Sequence, residues 1–305
     1  MIALSDIQSI VHGLVAMNEP MEKYTWMRVG GPADFYLEPA SRDELITVLR
    51  YFGENRYPVM MIGRGSNLLV SDDGIRGAVV NVERCLSDIV MDGDLVSAQA
   101  GARLTKFVDF CVQRGLAGVE MLAGIPGTVG GAVVMNAGAH GGETADHIVD
   151  VEVLRQGALV WVKKADARFA YRRSGFAGDV VLTARFRLPA GDVDALAKRR
   201  KELIQKRNAT QPLELPNLGS MFKNPPNNFA AKLIEEAGLK GKKVGQAQVS
   251  EKHANFMVNL GGAKAADVVR LIDIVRRTVY QRSGIMLELE VKPVGFSEEM
   301  KALLA

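Results

Sequence analysis

The chain has 305 residues, 48% hydrophobic and 24% charged, with 38 Lys and Arg against 35 Asp and Glu for a formal charge of +3. This is the balance of a soluble globular protein with material for real cores, and it excludes a disordered chain and a strongly basic polymer binder. Two cysteines, Cys85 and Cys111, fit a reducing compartment and not a disulfide framework.

Residues 2–16 read as a short amphipathic helix. "ADFYLEPAS" then has strand character, and "SRDELITVLRYFGENRYP" is a helix whose Ser41 and Glu44 form a capping box. The apolar strand "VMMIG" (59–63) runs straight into "RGSNLLVSDDGIRG", so residues 1–80 alternate strand and helix. From 77 onward the pattern changes. "DIVMDGDLVSAQA" turns at Asp-Gly, and "VDVEVLRQGALVWVKKADA" turns at Gln156-Gly157, both hairpin signals. A helix at 105–114 lies between them and the strand "VVLTARFRL" (180–188) closes the region. "GDVDALAKRRKELIQKRNATQPL" is a helix marking a boundary near 191–210. Its basic run 198–207 reads as a solvated face, since no aromatic residues interleave to suggest nucleic acid. The last third holds a helix at 228–238, a strand at 255–259, a helix at 264–282 and a final strand, "MLELEVKPVG".

The four histidines (12, 140, 147 and 253) are scattered, so no metal site is expected. The start "MIALSDIQSIVHGLV" lacks a signal peptide's basic n-region, and no run of about 18 apolar residues offers a membrane span. A cytoplasmic protein is expected, without membrane or nucleic-acid partners and monomeric.

Two stretches bare their backbone: "GRGSNLLVSDDGIRG" (63–77) and "GIPGTVGGAVVMNAGAHGGE" (124–143), the second with seven glycines. Missing β-carbons allow close approach, and inward N–H groups form anion-binding nests. Neither is a Walker motif, because no Gly-Lys-Ser/Thr follows, and neither sets G-x-G-x-x-G between an early strand and helix. Tight turns explain one such loop; two of them point to an extended ligand.

Taken together, "YTWMRVGGPADFYLEP", "IGRGSNLLVSDDGIRG" and "LAGIPGTVGGAVVMNAGAHGGE" resemble the FAD-binding region of the UDP-N-acetylenolpyruvoylglucosamine reductases, within the vanillyl-alcohol-oxidase-like flavoproteins. The resemblance extends along nearly the whole chain. It implies an α+β protein: a two-lobed FAD-binding unit of the vanillyl-alcohol-oxidase type (lobes 1–80 and 81–195) and a C-terminal α+β substrate-binding domain (196–305). FAD would be held non-covalently by Gly63, Arg64, Gly65, Ser66, Asn67 and Leu68. The second loop would add Gly124, Ile125, Pro126, Gly127, Gly130, Gly131, Asn136, Ala137, Gly138 and Ala139. Some members of the superfamily attach flavin through histidine, which makes His140 the alternative.

Three further blocks, "YRRSGF" (171–176), "NLGSMFKNP" (217–225) and "LELEV" (287–291), resemble those that carry the family's catalytic residues. The match implies Arg172, Ser220 and Glu290 as the trio, with Lys223, Asn224, Lys240 and His253 as substrate contacts; some relatives carry Gln where His253 stands. The implied reaction reduces UDP-N-acetylglucosamine enolpyruvate to UDP-N-acetylmuramate for peptidoglycan, with NADPH as reductant of FAD. Hydride from reduced FAD reaches the terminal enolpyruvyl carbon, an enolate develops, and a fixed guanidinium stabilises it. Ser220 would then protonate carbon, helped by Lys223 and Asn224, with Glu290 assisting. Without the resemblance, Ser220 is an ordinary turn residue, and Glu288 and Glu290 are one exposed strand face. Only 47 residues separate Arg172 from Ser220, too few for the family's tyrosine-bearing insertion, so the chain is similar to the shorter second type. An oxidase of the same superfamily and a non-catalytic nucleotide-binding protein are the rival readings.

Overall fold

The computed structural model describes residues 2–304. They form two compact units, each discontinuous in sequence. The first takes the residues through Met17, Phe35–Arg64 and Gly77–Arg207; the second takes Asn18–Asp34, Gly65–Arg76 and the residues from Asn208 onward.

In the first unit the opening helix is Leu4–Ile10, and the chain is already a strand at Leu14–Pro20. The helix expected through residue 16 stops early for a steric reason. A β-carbon on Gly13 would lie 1.8 Å from Glu38 O, so glycine lets the chain run against the next strand of its sheet. That sheet has the order Leu14–Pro20, Pro32–Glu38, Ile75–Asn81, Val59–Ile62. Its last two strands run parallel, Val59 opposite Ala78 and Ile62 opposite Asn81. Helix Arg42–Glu54 is capped by Ser41, whose Oγ accepts from Glu44 N at 3.2 Å, but the expected box does not close on Ser41 N: the Glu44 carboxylate reaches one residue further back and accepts from Ala40 N at 2.8 Å.

A five-stranded antiparallel sheet follows, in the order Ala158–Lys163, Ile148–Arg155, Val180–Phe186, Leu95–Gln99, Ile89–Asp92. Both predicted hairpin turns are present. At the second, Gln156 and Gly157 have φ of 50° and 80°, the double positive φ of a tight two-residue turn. Val151, Val153, Leu182 and Ala184 line its buried face against helix Leu104–Val112, where the Phe107 and Phe186 rings lie 4.6 Å apart. On β-period 2 the opposite face carries Asp150 and Glu152. Asp150 has no exposed surface and accepts from Arg185 at 2.7 Å and from Lys163 at 2.8 Å. The Arg185 hydrogen bonds, seconded by Lys163, hold its carboxyl below the usual carboxylate range against the opposing effect of burial.

The second unit has its own core on helix Ala265–Ser283, where Val268, Leu271, Ile272 and Val275 are fully buried. Gly284 (φ 71°) ends that helix. A four-stranded antiparallel sheet has the order Asn217–Ser220, Phe256–Asn259, Ala247–Val249, Lys243–Val244. The predicted last strand is much shorter than the reading "MLELEVKPVG": only Lys292–Val294 is a strand, parallel to Leu68–Val70. Residues 287–291 keep the alternation, with Leu287 and Val291 buried, but pair through the single bridge Phe222↔Leu289. Among the described residues no helix is long and apolar enough to cross a membrane.

Candidate active site

In the first unit, Gly63 ends the strand Val59–Ile62, and a β-carbon there would sit 2.6 Å from Thr128 Oγ1. The two glycine-rich stretches therefore meet at this point, glycine against threonine. Thr128 also caps helix Val129–Met135, its hydroxyl accepting from Gly131 N at 3.4 Å. The glycines of this helix differ in kind. A β-carbon on Gly130 would lie 2.8 Å from Ala100 Cβ, and Gly130 N already donates to Ala100 O at 2.8 Å. On Gly131 it would find nothing nearer than Thr128 Oγ1 at 3.6 Å. So Gly130 makes room for the fold itself, while Gly131 leaves space open. Among the described residues, the N–H groups of Gly127 and Thr128 have no hydrogen-bond partner, whereas those of Val129 and Gly130 donate to Ala102 and Ala100. Two adjacent unspent donors in a side-chain-poor loop suit an anionic or polar ligand.

The same loop positions Arg172. Asn136, left-handed (φ 43°) and almost wholly buried, caps the helix end. Its Nδ2 donates to Glu143 at 2.7 Å and to Ala170 O at 3.1 Å, and its Oδ1 accepts from Ala145 N at 3.0 Å. Ala170 and Arg173 exchange both backbone hydrogen bonds, at 3.0 and 3.1 Å, so Tyr171 and Arg172 form the tip of a tight turn. Arg172 takes φ 55°, a strained value for a non-glycine residue, costing on the order of 1 kcal/mol. Its guanidinium donates to Gly138 O at 2.8 Å and lies 4.7 Å from the Tyr171 ring. His140, also at positive φ (53°), is exposed; desolvation and then Lys206, Arg207 and Arg199 pull its pKa down. It therefore stays neutral at neutral pH.

In the second unit, Gly65 (φ 58°) must be glycine, because Tyr24 O would lie 2.0 Å from a β-carbon. Asn67 Nδ2 donates to Glu290 O at 3.2 Å and Asn67 O accepts from Lys292 N at 2.9 Å, so the first loop grips the Glu290 segment. Ser220 ends the strand Asn217–Ser220 after a break in register against Phe256–Asn259, with Gly219 at φ 75°. Such a bulge re-aims the next side chain. Among the described residues the half-buried Ser220 hydroxyl has no hydrogen-bond partner. Glu290 N donates to Met221 O at 2.9 Å and Lys223 N to Glu288 O at 2.8 Å, which sets the serine turn and the Glu290 segment side by side.

The two carboxylates that sequence could not separate differ here. Glu288 is exposed and ion-pairs with Lys223 Nζ, while Glu290 is half-buried and held by its backbone on both edges. Lys223 is thus occupied by Glu288. Asn224 Oδ1 accepts from Ala230 N at 3.1 Å at the start of helix Ala230–Glu236, and Lys240 pairs with Glu235 at 2.8 Å. His253 Nδ1 accepts from Asn255 N at 3.3 Å, and burial, with Lys240 adding to it, lowers its pKa.

Two residues escaped the sequence reading because "KRNATQP" looks only like a charged helix end. Arg207, in the first unit, is half-buried against Gly124, whose β-carbon would lie 2.9 Å from Arg207 Cδ. Gln211, in the second, has a buried Oε1 with no hydrogen-bond partner among the described residues. A buried orphan acceptor suits an N–H of a bound heterocycle. No sequence signal distinguishes it.

Residues 211–294 match the family model described as the C-terminal domain of UDP-N-acetylenolpyruvoylglucosamine reductase, and residues 33–163 match a FAD binding domain. The chain is 43% identical to the UDP-N-acetylenolpyruvoylglucosamine reductase of Chloroherpeton thalassium, covering 99% of this chain and all of that one. It is 45% identical to reductase 2 of Symbiobacterium thermophilum over 95% of this chain and 96% of the other. Among solved structures, the Thermus caldophilus reductase superposes with a TM-score of 0.79 at 36% identity, covering 93% of this chain and 100% of that one.

Proposed function

The chain belongs to the UDP-N-acetylenolpyruvoylglucosamine reductase family, and on that premise we propose how its own residues reduce the enolpyruvyl group. It is a FAD-dependent oxidoreductase of peptidoglycan synthesis, acting on UDP-N-acetylglucosamine enolpyruvate with NADPH as the reductant. Bound FAD supplies the hydride that the reaction delivers to the enolpyruvyl carbon.

The chain supplies the rest. In the first unit the loop 124–139 and Gly63 hold the cofactor, chiefly through backbone groups such as the unspent N–H pair at Gly127 and Thr128. Arg172, pre-set by Gly138 O and the strained turn, neutralises the enolate that develops on the substrate. Ser220 gives its proton to carbon, and Glu290 assists that transfer. Lys223, Asn224, Lys240 and His253 contact the substrate's polar parts. For Lys223 and Lys240 this means leaving Glu288 and Glu235 for an anionic group, and His253 offers only Nε2, since Nδ1 faces Asn255. The observation that supports this reading is the backbone pairing of Met221 and Lys223 with Glu290 and Glu288, which runs the segment that follows Ser220 alongside the Glu290 segment.

The test is NADPH consumption with and without the enolpyruvyl UDP-sugar. Oxidation that depends on the sugar and consumes no oxygen supports the reading; oxygen uptake in its place supports an oxidase. The flavin is expected to be non-covalent, so acid precipitation and filtration should release all yellow colour. Flavin left on the precipitated chain would point to His140.

The glycines give a paired prediction. Gly130→Val overpacks Ala100 and should cost about 1–3 kcal/mol of stability, read as a lower thermal midpoint. Gly131→Val meets open space and should melt near wild type yet retain less FAD after gel filtration. Stoichiometric FAD in the Gly131 variant would move the cofactor away from this helix.

A further inference from the structure

The main-chain ladder between Asn217–Ser220 and Phe256–Asn259 ends at the pair Ser220↔Phe256. One side chain continues it. Asn255, 3% exposed, accepts from Phe222 N through Oδ1 at 3.0 Å and donates to Phe222 O through Nδ2 at 2.8 Å. Its backbone carbonyl accepts from Met221 N at 2.8 Å. On their other edge the same residues pair with the Glu290 segment, so Met221 and Phe222 are gripped from both sides.

Only an amide meets this demand. It presents a donor and an acceptor in one plane, where a carboxylate accepts only and an apolar residue does neither. Asn255 is itself presented by a closed turn: Ser250 Oγ accepts from Lys252 N at 3.1 Å and His253 N at 3.3 Å, and Asn255 N donates to His253 Nδ1. On the near side of Ser220 lies the bulge at Gly219, which fixes little by itself. The direction of the serine hydroxyl is therefore set from the far side, by the two peptides that Asn255 holds.

We infer that Asn255 is a positioning residue for the proton transfer, locking Met221 and Phe222 so that the Ser220 hydroxyl keeps one direction beside Glu290. The inference rests on the reading of Ser220 as proton donor.

The FAD-loaded Asn255→Ala and Asn255→Asp variants test it by stopped flow. Bleaching of flavin absorbance by NADPH should proceed at the wild-type rate. Reoxidation by the enolpyruvyl UDP-sugar should slow about 10²-fold, the size expected for roughly 1 Å of misplacement. Substrate affinity, titrated on the flavin bands of the oxidised protein, should not change. Asn255→Asp keeps the acceptor for Phe222 N but turns a second acceptor toward Phe222 O. Its deficit relative to wild type should shrink as pH falls and the carboxyl gains a proton to donate. His253, Lys223, Glu288 and Glu290 are the ionisable groups nearby, and being common to both proteins they cancel in that ratio. If the alanine variant does not fold, the aspartate variant carries the test alone.

Equal slowing of both half-reactions, or an Asn255→Asp-to-wild-type ratio independent of pH, overturns the inference in favour of a purely structural amide. Normal reoxidation in Asn255→Ala together with slow reoxidation in Ser220→Ala overturns it while leaving Ser220 in place. Normal reoxidation in Ser220→Ala removes the donor itself.

Discussion

Ser220→Ala is expected to bleach with NADPH at a near-normal rate and then to reoxidise at least ~10²-fold more slowly with the enolpyruvyl UDP-sugar, the lower bound for losing a general acid. The separation follows from which step needs the proton. Taking up reducing equivalents makes no demand on the serine, whereas quenching an enolate at carbon does. Folding should be untouched, because the hydroxyl makes no hydrogen bond among the described residues that its loss would break. Substrate should still bind, since Arg172, Asn224 and the lysines remain. Ser220→Cys should keep part of the activity, because a thiol also donates a proton. Unimpaired reoxidation in the alanine variant would take Ser220 out of the mechanism.

Glu290→Gln should lower turnover by about 10²–10⁴ while leaving substrate affinity near wild type, the pattern of a group whose contribution arises in the transition state. The neighbouring Glu288→Gln provides the contrast. Glu288 is exposed and pairs with Lys223, and a solvent-facing ion pair is worth about 0–1 kcal/mol. Its loss should shift KM by less than about 5-fold through Lys223 and leave kcat alone. Steady-state kinetics on the two variants side by side decides the matter. Equal losses, or the reverse order, would show that the wrong carboxylate has been named.

Much of the chemistry was legible in the residues. The glycine-rich stretches, the tight turn at Gln156-Gly157, the Ser41 cap and the long C-terminal helix all rest on local rules: positive φ, capping and apolar periodicity act over a few residues and leave marks in them. The combination of "YRRSGF", "NLGSMFKNP" and "LELEV" pointed to Arg172, Ser220 and Glu290 by resemblance, and the comparisons establish the family.

What stayed hidden depends on residues far apart in the chain. Which glycines serve the fold was invisible: Gly13 yields to Glu38 and Gly130 to Ala100, whereas Gly131 faces open space, and nothing in a run of glycines tells them apart. The first helix ended early and the last strand shrank because propensity and alternation carry no record of the partner that decides pairing. Glu288 and Glu290 alternate identically in sequence, and it takes Lys223, 65 residues away, to show that Glu288 is an exposed ion-pair partner. Asn255 looks like any polar residue in "KHANF" until Phe222, 33 residues earlier, is seen between its two polar atoms. By itself, then, the sequence determined the local backbone conformations and the kinds of side chain present for flavin and proton chemistry. The tertiary structure alone decided which donors stay unspent and which carboxylate is exposed and which half-buried, because contacts made between distant residues change a group's surroundings without altering its local pattern.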